Sequence, residues 1–268
     1  MTSDPTADLV VHGMAPLLRL LRETEPGRPR LTWYGVDGER VELSGRVLDN
    51  WVAKTANLLV DELDVGPGSR VLLHLPVHWR TATWLLAVWA VGACAVLPPE
   101  GALGPLDVGT VDVVVTDRPQ LVGELVAAGA QLVVQPLPAL AVRWTGALPD
   151  GALDATSEVR GQGDVFTPLS AAAGDDPALE PAPGIVVEHG ALFGTAGRAL
   201  AAVGWAARPR VLVEVGDTDG RPLDPTRWLL AALAADGSVV VVESTAGSDD
   251  LARKGLDVAA QEGVTARW

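Results

Sequence analysis

The chain has 268 residues, a formal net charge of −14 and an apolar content of 48%. That length and that apolar share are enough for one large core or two modest ones, and they exclude disorder. The acidic excess repels nucleic-acid phosphates and anionic lipid, so neither nucleic acid nor a membrane surface is an expected partner. A single cysteine, Cys94, leaves no intrachain disulfide and no thiolate metal cage. The start, Met1 to Pro5, lacks a basic stretch followed by an apolar one, so a cytoplasmic protein is expected.

In chain order, Val10 to Arg22 is predicted as a helix with Leu17, Leu18, Leu20 and Leu21 on its apolar side. Two short strands, Leu31–Tyr34 and Arg40–Leu43, flank the turn Asp37-Gly38. Ser44 is a candidate N-cap for a helix carrying Val47, Leu48, Trp51, Val52, Ala56 and Leu59. After Gly66-Pro67-Gly68 come a strand at Arg70–Leu75, a Trp-rich helix at Trp79–Val91 and a strand at Ala93–Leu97 stopped by Pro98-Pro99. No charge lies between Arg80 and Glu100, a length that could cross a bilayer, but Gly92 interrupts it. A buried helix followed by a buried strand is the expectation.

Strand Asp112–Thr116, helix Leu121–Ala128 and strand Gln131–Gln135 continue the alternation. Leu148 to Glu180 has no sustained period and is expected as an irregular loop with one or two short strands near Val165. Helix Gly190–Val203, strand Arg210–Val215, helix Pro225–Ala235, strand Ser238–Glu243, helix Asp249–Glu262 and strand Val264–Trp268 follow. Unbroken Val/Leu strands alternating with helices predict parallel sheets covered on both faces. The expected division is 1–147, a first α/β subdomain; 148–180, the irregular region; and 181–268, a second α/β subdomain.

The segment from Gly38 to Pro98 resembles the opening of the adenylate-forming (AMP-binding) enzymes: acyl-CoA synthetases, peptide-synthetase adenylation domains and luciferases. The matching pieces are Val41-Glu42-Leu43-Ser44, then Val65-Gly66-Pro67-Gly68-Ser69-Arg70-Val71, Leu75-Pro76 and Ala90-Val91-Gly92-Ala93-Cys94-Ala95-Val96-Leu97-Pro98. Gly184-Ile185-Val186-Val187-Glu188-His189 is similar to the family's Lys-Gly-Val-x-x-x-His, and Arg210 to Glu243 resembles its next strand-helix-strand step. A short actinobacterial group of such adenylation-like proteins is known, and the chain resembles its members. Lysine occurs only at Lys54 and Lys254 while Ala, Arg, Val and Gly abound, as in a GC-rich genome.

The family's phosphate loop reads Ser-Gly-Thr-Thr-Gly-x-Pro-Lys-Gly. Its backbone amides, hydroxyls and lysine cradle the triphosphate. Counted back from His189, Gly184 keeps the last glycine, Pro183 stands in place of the lysine, and Asp175 to Ala182 replaces the Ser/Thr cluster. The relics of the loop are Ser170, Gly174, Gly184 and His189. Between Gly161 and Gly197 there is no Lys or Arg, but Asp164, Asp175, Asp176, Glu180 and Glu188 are present, so phosphates placed there would meet carboxylates. The family's later motifs, its hinge and its C-terminal domain with the catalytic lysine would all follow Trp268. Gly216-Asp217 comes too early for the family's Thr-Gly-Asp and is expected as a turn.

Other constellations carry less. His74 and His78 have the spacing of a helical metal pair, but Pro76 separates them. Cys94 is expected as an inert core thiol. No hydrolase elbow surrounds Ser170, and no dinucleotide fingerprint follows a strand. Trp79, Trp84 and Trp89 are spaced at five, about 500° on a helix, so they cannot form one stripe and are expected to be core.

The expected fold is α/β: two layered, mostly parallel sheet units flanked by helices, equivalent to the front of the large domain of an adenylate-forming enzyme. The expected function is non-catalytic, a pseudoenzyme with a binding or partner role, with no catalytic residue, metal, cofactor or ATP binding. A protein partner or self-association is expected, because sheet surface that the family covers with later segments, and the terminal Trp268, call for cover. Two alternatives stand beside it. One is a residual acyl or aromatic-acid site at the strand ends. The other is an adenylating or CoA-ligating enzyme completed by another chain.

Overall fold

The structure is a computed structural model that describes residues 10–97, 110–205, 207–216, 224–243 and 248–268. Pro98-Pro99 and Asp217, and with them the expected strand stop and turn, lie outside the described residues. The elements in chain order are α1 (Met14–Glu23), β1 (Pro29–Tyr34), β2 (Arg40–Ser44), α2 (Gly45–Asp61), β3 (Arg70–His74), α3 (Trp79–Ala90), β4 (Cys94–Val96) and β5 (Val113–Thr116). Then come α4 (Gly123–Ala127), β6 (Gln131–Val134), β7 (Leu153–Asp154), α5 (Ala155–Gly161), β8 (Pro177–Ala182), β9 (Ile185–Glu188) and α6 (His189–Val203). The chain continues through β10 (Arg210–Val215), α7 (Ala231–Ala234, entered through a π-helical turn at Thr226–Leu230), β11 (Ser238–Glu243), α8 (Ser248–Glu262) and β12 (Ala266–Arg267).

The chain forms two compact units that do not follow the expected boundaries at 147 and 181. A central unit spans Asn50–Gly190, and a terminal unit joins Met1–Asp49 to Ala191–Trp268. Strand pairing is the reason. β1 lies parallel to β11, with Leu31 opposite Val239 and Tyr34 opposite Val242, so the early hairpin β1–β2 belongs with the late strands. Conversely β8 lies parallel to β4, which draws residues 177–188 into the central sheet.

The central sheet has the order β7-β6-β5-β3-β4-β8-β9, parallel except for the β8–β9 pair. Leu72, Cys94, Val96, Val114, Leu132 and Val134 form one buried face with Val122 and Ala130, and Leu125, Val126 and Trp144 pack against them. Val71, Leu73, Ala95, Val113, Val115 and Val133, at the alternating positions, are also buried. Burial on both faces is why these strands read as unbroken apolar runs.

The Trp-rich helix α3 is buried from Trp79 to Trp89. Each tryptophan has a separate role. Trp79 meets Trp51 edge to face at 5.7 Å, Trp84 Nε1 donates to Gln135 Oε1 at 2.8 Å, and Trp89 Nε1 donates to the Ala178 carbonyl at 2.9 Å. No helix among the described residues is long and apolar enough to cross a membrane.

The expectation for 148–180 needs correction. Its first part holds β7 and α5, and its last residues form most of β8, while no strand lies at Val165. α5 is short and buries small side chains, Ala155, Thr156 and Val159, so it leaves no apolar period to read. Asp154 caps it, accepting from the amides of Thr156 (3.0 Å) and Ser157 (3.4 Å). The irregular stretch that follows is tied at its start to α2: Asn57 Nδ2 donates to the carbonyls of Gly163 (2.9 Å) and Val165 (3.1 Å).

The terminal sheet has the order β12-β10-β11-β1-β2, antiparallel only at β1–β2. Leu212, Val240, Val242 and Val258 cluster with Tyr34, Ala259 and Val264 beneath α8. Trp268 is seated on its own chain, edge to face with Trp205 at 5.6 Å and 4.8 Å from the Arg227 guanidinium.

Glu262, at the end of α8, ties this sheet together. It accepts from Tyr34, from Arg40 at 2.8 Å and from Arg210 at 2.5 Å. Burial pushes its carboxyl up, but the hydrogen bonds from Tyr34, Arg40 and Arg210 outweigh that and bring its pKa down from 4.5 to about 2. A carboxyl whose native pKa lies below its unfolded one stabilises above the unfolded value and loses that stabilisation as pH falls through the native one. Glu262 should therefore contribute a loss of stability between about pH 4.5 and 2. Denaturant midpoints measured across that window should fall less steeply in Glu262→Gln than in the parent, and equal slopes would contradict this.

Candidate functional site

The family resemblance puts a phosphate loop in the segment from Ser170 to His189. The structure puts a strand there. Pro177–Ala182 is β8, and it connects to β9 through only Pro183 and Gly184. Pro183 precedes a Gly184 with φ of +76°, the residue pair that a type II turn favours. Such a turn twists against the strands it joins, and the β8–β9 register shifts between Leu179 and Ala182. The Asp175–Ala182 stretch is thus not a degenerate loop. Nearly all of it is paired strand, and the loop between the strands is reduced to two residues.

Sequence could not reveal β8. Two prolines and a glutamate within Pro177–Ala182 argue against a strand, yet Ala178, Leu179 and Glu180 are buried. Glu180 is tolerated there because Arg70 of β3 reaches it at 2.9 Å. Two other acidic side chains of this segment also have partners. Lys54 of α2 pairs with Asp164 at 2.7 Å, and Asp176 Oδ2 accepts from the Ala173 amide at 2.7 Å. The cations come from parts of the chain distant in sequence, which a local charge count does not see. Asp175 and Glu188 are exposed.

The four relic positions separate. Ser170 lies in an exposed bend. Gly174 meets the start of α6: its carbonyl accepts from the Gly190 amide at 2.8 Å, and a Cβ on Gly190 would come within 2.8 Å of that carbonyl. His189, the first residue of α6, donates its amide to the Asp176 carbonyl at 2.9 Å. Burial lowers the pKa of its imidazole, opposed by hydrogen bonds to the backbone of Gly92 and Ala93 and by Asp176, and its Nε2 is buried without a partner. Gly184 stands at the hairpin tip, and its amide faces Glu180 Oε1 at 3.4 Å. Gly174 and His189 are brought to one corner, where they close the turn into α6, while Gly184 sits at the end of the hairpin.

The remaining candidates have structural partners. His74 Nδ1 lies 2.7 Å from Thr116 Oγ1, and burial and the nearby Arg118 lower its pKa. His78 caps α3 by accepting from the Arg80 amide at 3.2 Å, and burial together with Arg80 brings its pKa down to about 3. Cys94 is buried, and burial pushes its thiol up to about 11, far from a reactive thiolate. Among the described residues no group of His, Cys, Asp and Glu is placed to hold a metal ion.

The fold is that of the large domain of adenylate-forming enzymes. An acyl-CoA synthetase of Brucella canis matches with a TM-score of 0.74 and 19% identity over 99% of this chain and 50% of its own. Acetoacetyl-CoA synthetase from Streptomyces lividans matches with a TM-score of 0.73 and 20% identity over 95% and 42%. The N-terminal subdomain of Klebsiella oxytoca NpsA, solved with 3-hydroxybenzoyl-AMSN, matches with a TM-score of 0.66 and 14% identity over 97% and 60%. The chain thus spans about half the length of the solved structures it matches. No family model matches the sequence. A protein of Mycobacterium tuberculosis described as a TIGR03089 family protein is 38% identical over 232 residues, 85% of this chain and 86% of that one. Identity at that level over most of both chains goes beyond shared fold: the chain belongs to the TIGR03089 family.

Proposed function

We propose that this chain is a non-catalytic relative of the adenylate-forming enzymes, a pseudoenzyme that acts by binding. The observation that carries this reading is the two-residue connection at Pro183-Gly184. A phosphate cradle needs several amides directed into one concavity, with hydroxyls and a cation beside them. Here the strands on both sides are paired, Pro183 has no amide hydrogen, and the Gly184 amide faces Glu180. The hairpin tip therefore offers a phosphate no set of converging amides.

The role we assign is binding to a protein partner or to a second copy of the chain, in the cytoplasm. The mycobacterial relative is in keeping with an actinobacterial origin. The test is thermal unfolding with and without MgATP at millimolar concentration. A hundredfold excess over the dissociation constant would add about 2.7 kcal/mol of stability. No shift and no ATP–pyrophosphate exchange are expected, and a saturable upshift would overturn the reading.

A further inference from the structure

Among the described residues the two sheets end in four edge strands, β7 and β9 in the central unit and β2 and β12 in the terminal one. An edge strand directs alternate amide and carbonyl groups away from its sheet. Proteins protect such edges by keeping the strand short or by placing charge on it. β7 and β12 are two residues long, and β2 carries exposed Arg40 and Glu42, paired at 2.7 Å. β9 is four residues long, and no proline or cation interrupts its Ile185-Val186-Val187-Glu188. Ile185 is 57% and Val186 50% exposed. Side chains alternate in direction along a strand, so these two lie on opposite faces, and β9 is open on both faces as well as along its edge.

The end of β9 away from the hairpin tip is acidic. Glu188 closes the strand opposite Pro177, and Asp175 lies two residues before Pro177. Both carboxylates are exposed, and the ion pairs of this region go to Asp164 and Glu180 instead. A second copy of the chain fits this edge poorly. Each copy has a formal net charge of −14, so two copies repel. Four residues from each side also fall far short of the roughly 20–30 residues a side of a stable interface. An added peptide strand needs less, because its affinity comes from main-chain hydrogen bonds. A segment with β-branched side chains followed by Lys or Arg matches both features: its apolar side chains meet Ile185 and Val186, and its cations meet Glu188 and Asp175.

We propose that β9 is a docking edge for an extended, basic segment of a partner protein, which adds to the central sheet as a further strand. This rests on the binding role proposed above and names its surface. The experiment titrates the full chain into three labelled peptides and reads fluorescence anisotropy. The peptides are Ser-Val-Thr-Val-Lys-Lys, its Glu-Glu counterpart, and Ser-Val-Pro-Val-Lys-Lys, which lacks a ladder amide. Saturable binding of the first peptide alone, with slowed hydrogen exchange at residues 185–188, is expected. Val186→Lys, which puts a cation on the open edge, should abolish it. Glu188→Lys should weaken the Lys-Lys peptide about fivefold and favour the Glu-Glu one. Both positions are exposed, so neither variant disturbs the core. No saturation, equal binding of the Lys-Lys and Glu-Glu peptides, or equal binding by the parent and Val186→Lys overturns the proposal. A concentration-dependent dimer of the parent that Val186→Lys abolishes, with no peptide bound, makes a second copy the occupant and overturns it as well. The non-catalytic reading fails separately, by a saturable upshift with MgATP, which does not involve the β9 edge.

Discussion

Replacing Trp89 by alanine is expected to destabilise the central unit by about 3–5 kcal/mol, the range for deleting a fully buried large aromatic. Trp89 is 2% exposed in a helix buried along its whole central stretch. Its indole N–H also satisfies the Ala178 carbonyl of β8 at 2.9 Å. Deleting the ring leaves a cavity and removes the indole donor from the Ala178 carbonyl, which keeps its place in the β4–β8 ladder, where Ala95 lies opposite Leu179. Trp89→Phe keeps most of the apolar bulk and loses only that second hydrogen bond, so it should cost about 0.5–1.5 kcal/mol. Denaturant titration followed by fluorescence measures both. A Trp89→Ala cost below about 1 kcal/mol, with unchanged dependence on denaturant, would show that α3 does not hold β8 in place.

Trp89 also marks how far the sequence could be read. The strands from β3 to β6 and the helix α3 were legible because burial on both faces leaves uninterrupted apolar runs. Gly66-Pro67-Gly68 and Gly92 punctuate them. What was not legible depends on distant partners. β8 is held in the sheet by its ladder with β4, by Arg70 pairing with Glu180 and by Trp89 donating to the Ala178 carbonyl, and nothing within Pro177–Ala182 announces these partners. The division into units was hidden for the same reason, since the pairing of Leu31 with Val239 bridges most of the chain. At the candidate site, the loss of the lysine and the hydroxyls was plain from the sequence. That the loop itself is replaced by a hairpin required the backbone.

Asp236→Asn is expected to destabilise the terminal unit by about 3–5 kcal/mol, as removing one partner of a buried ion pair does. Asp236 sits between α7 and β11 with φ of +55°, a conformation that aspartate and asparagine both tolerate, so the substitution leaves the backbone unstrained. Its carboxylate faces three arginines: Arg30 at 2.6 Å, Arg208 at 2.8 Å and Arg28 at 3.6 Å. Arg30 is fully buried, so it has no water to turn to when the carboxylate is neutralised. What remains for it are the carbonyls of Asp236 (2.8 Å), Gly237 (3.1 Å) and Thr24 (3.2 Å). Carbonyl dipoles orient a guanidinium but do not cancel its charge, and Arg28 adds a like charge nearby. Arg208 is half exposed, so Arg208→Ala should cost less than about 1 kcal/mol and serves as the control. Arg30→Met on the Asp236→Asn background should recover part of the loss, since an apolar side chain of similar length leaves no buried charge to balance. If Asp236→Asn costs no more than Arg208→Ala, the carbonyls alone hold Arg30, and the corner is a hydrogen-bonded one in which the carboxylate charge has no part.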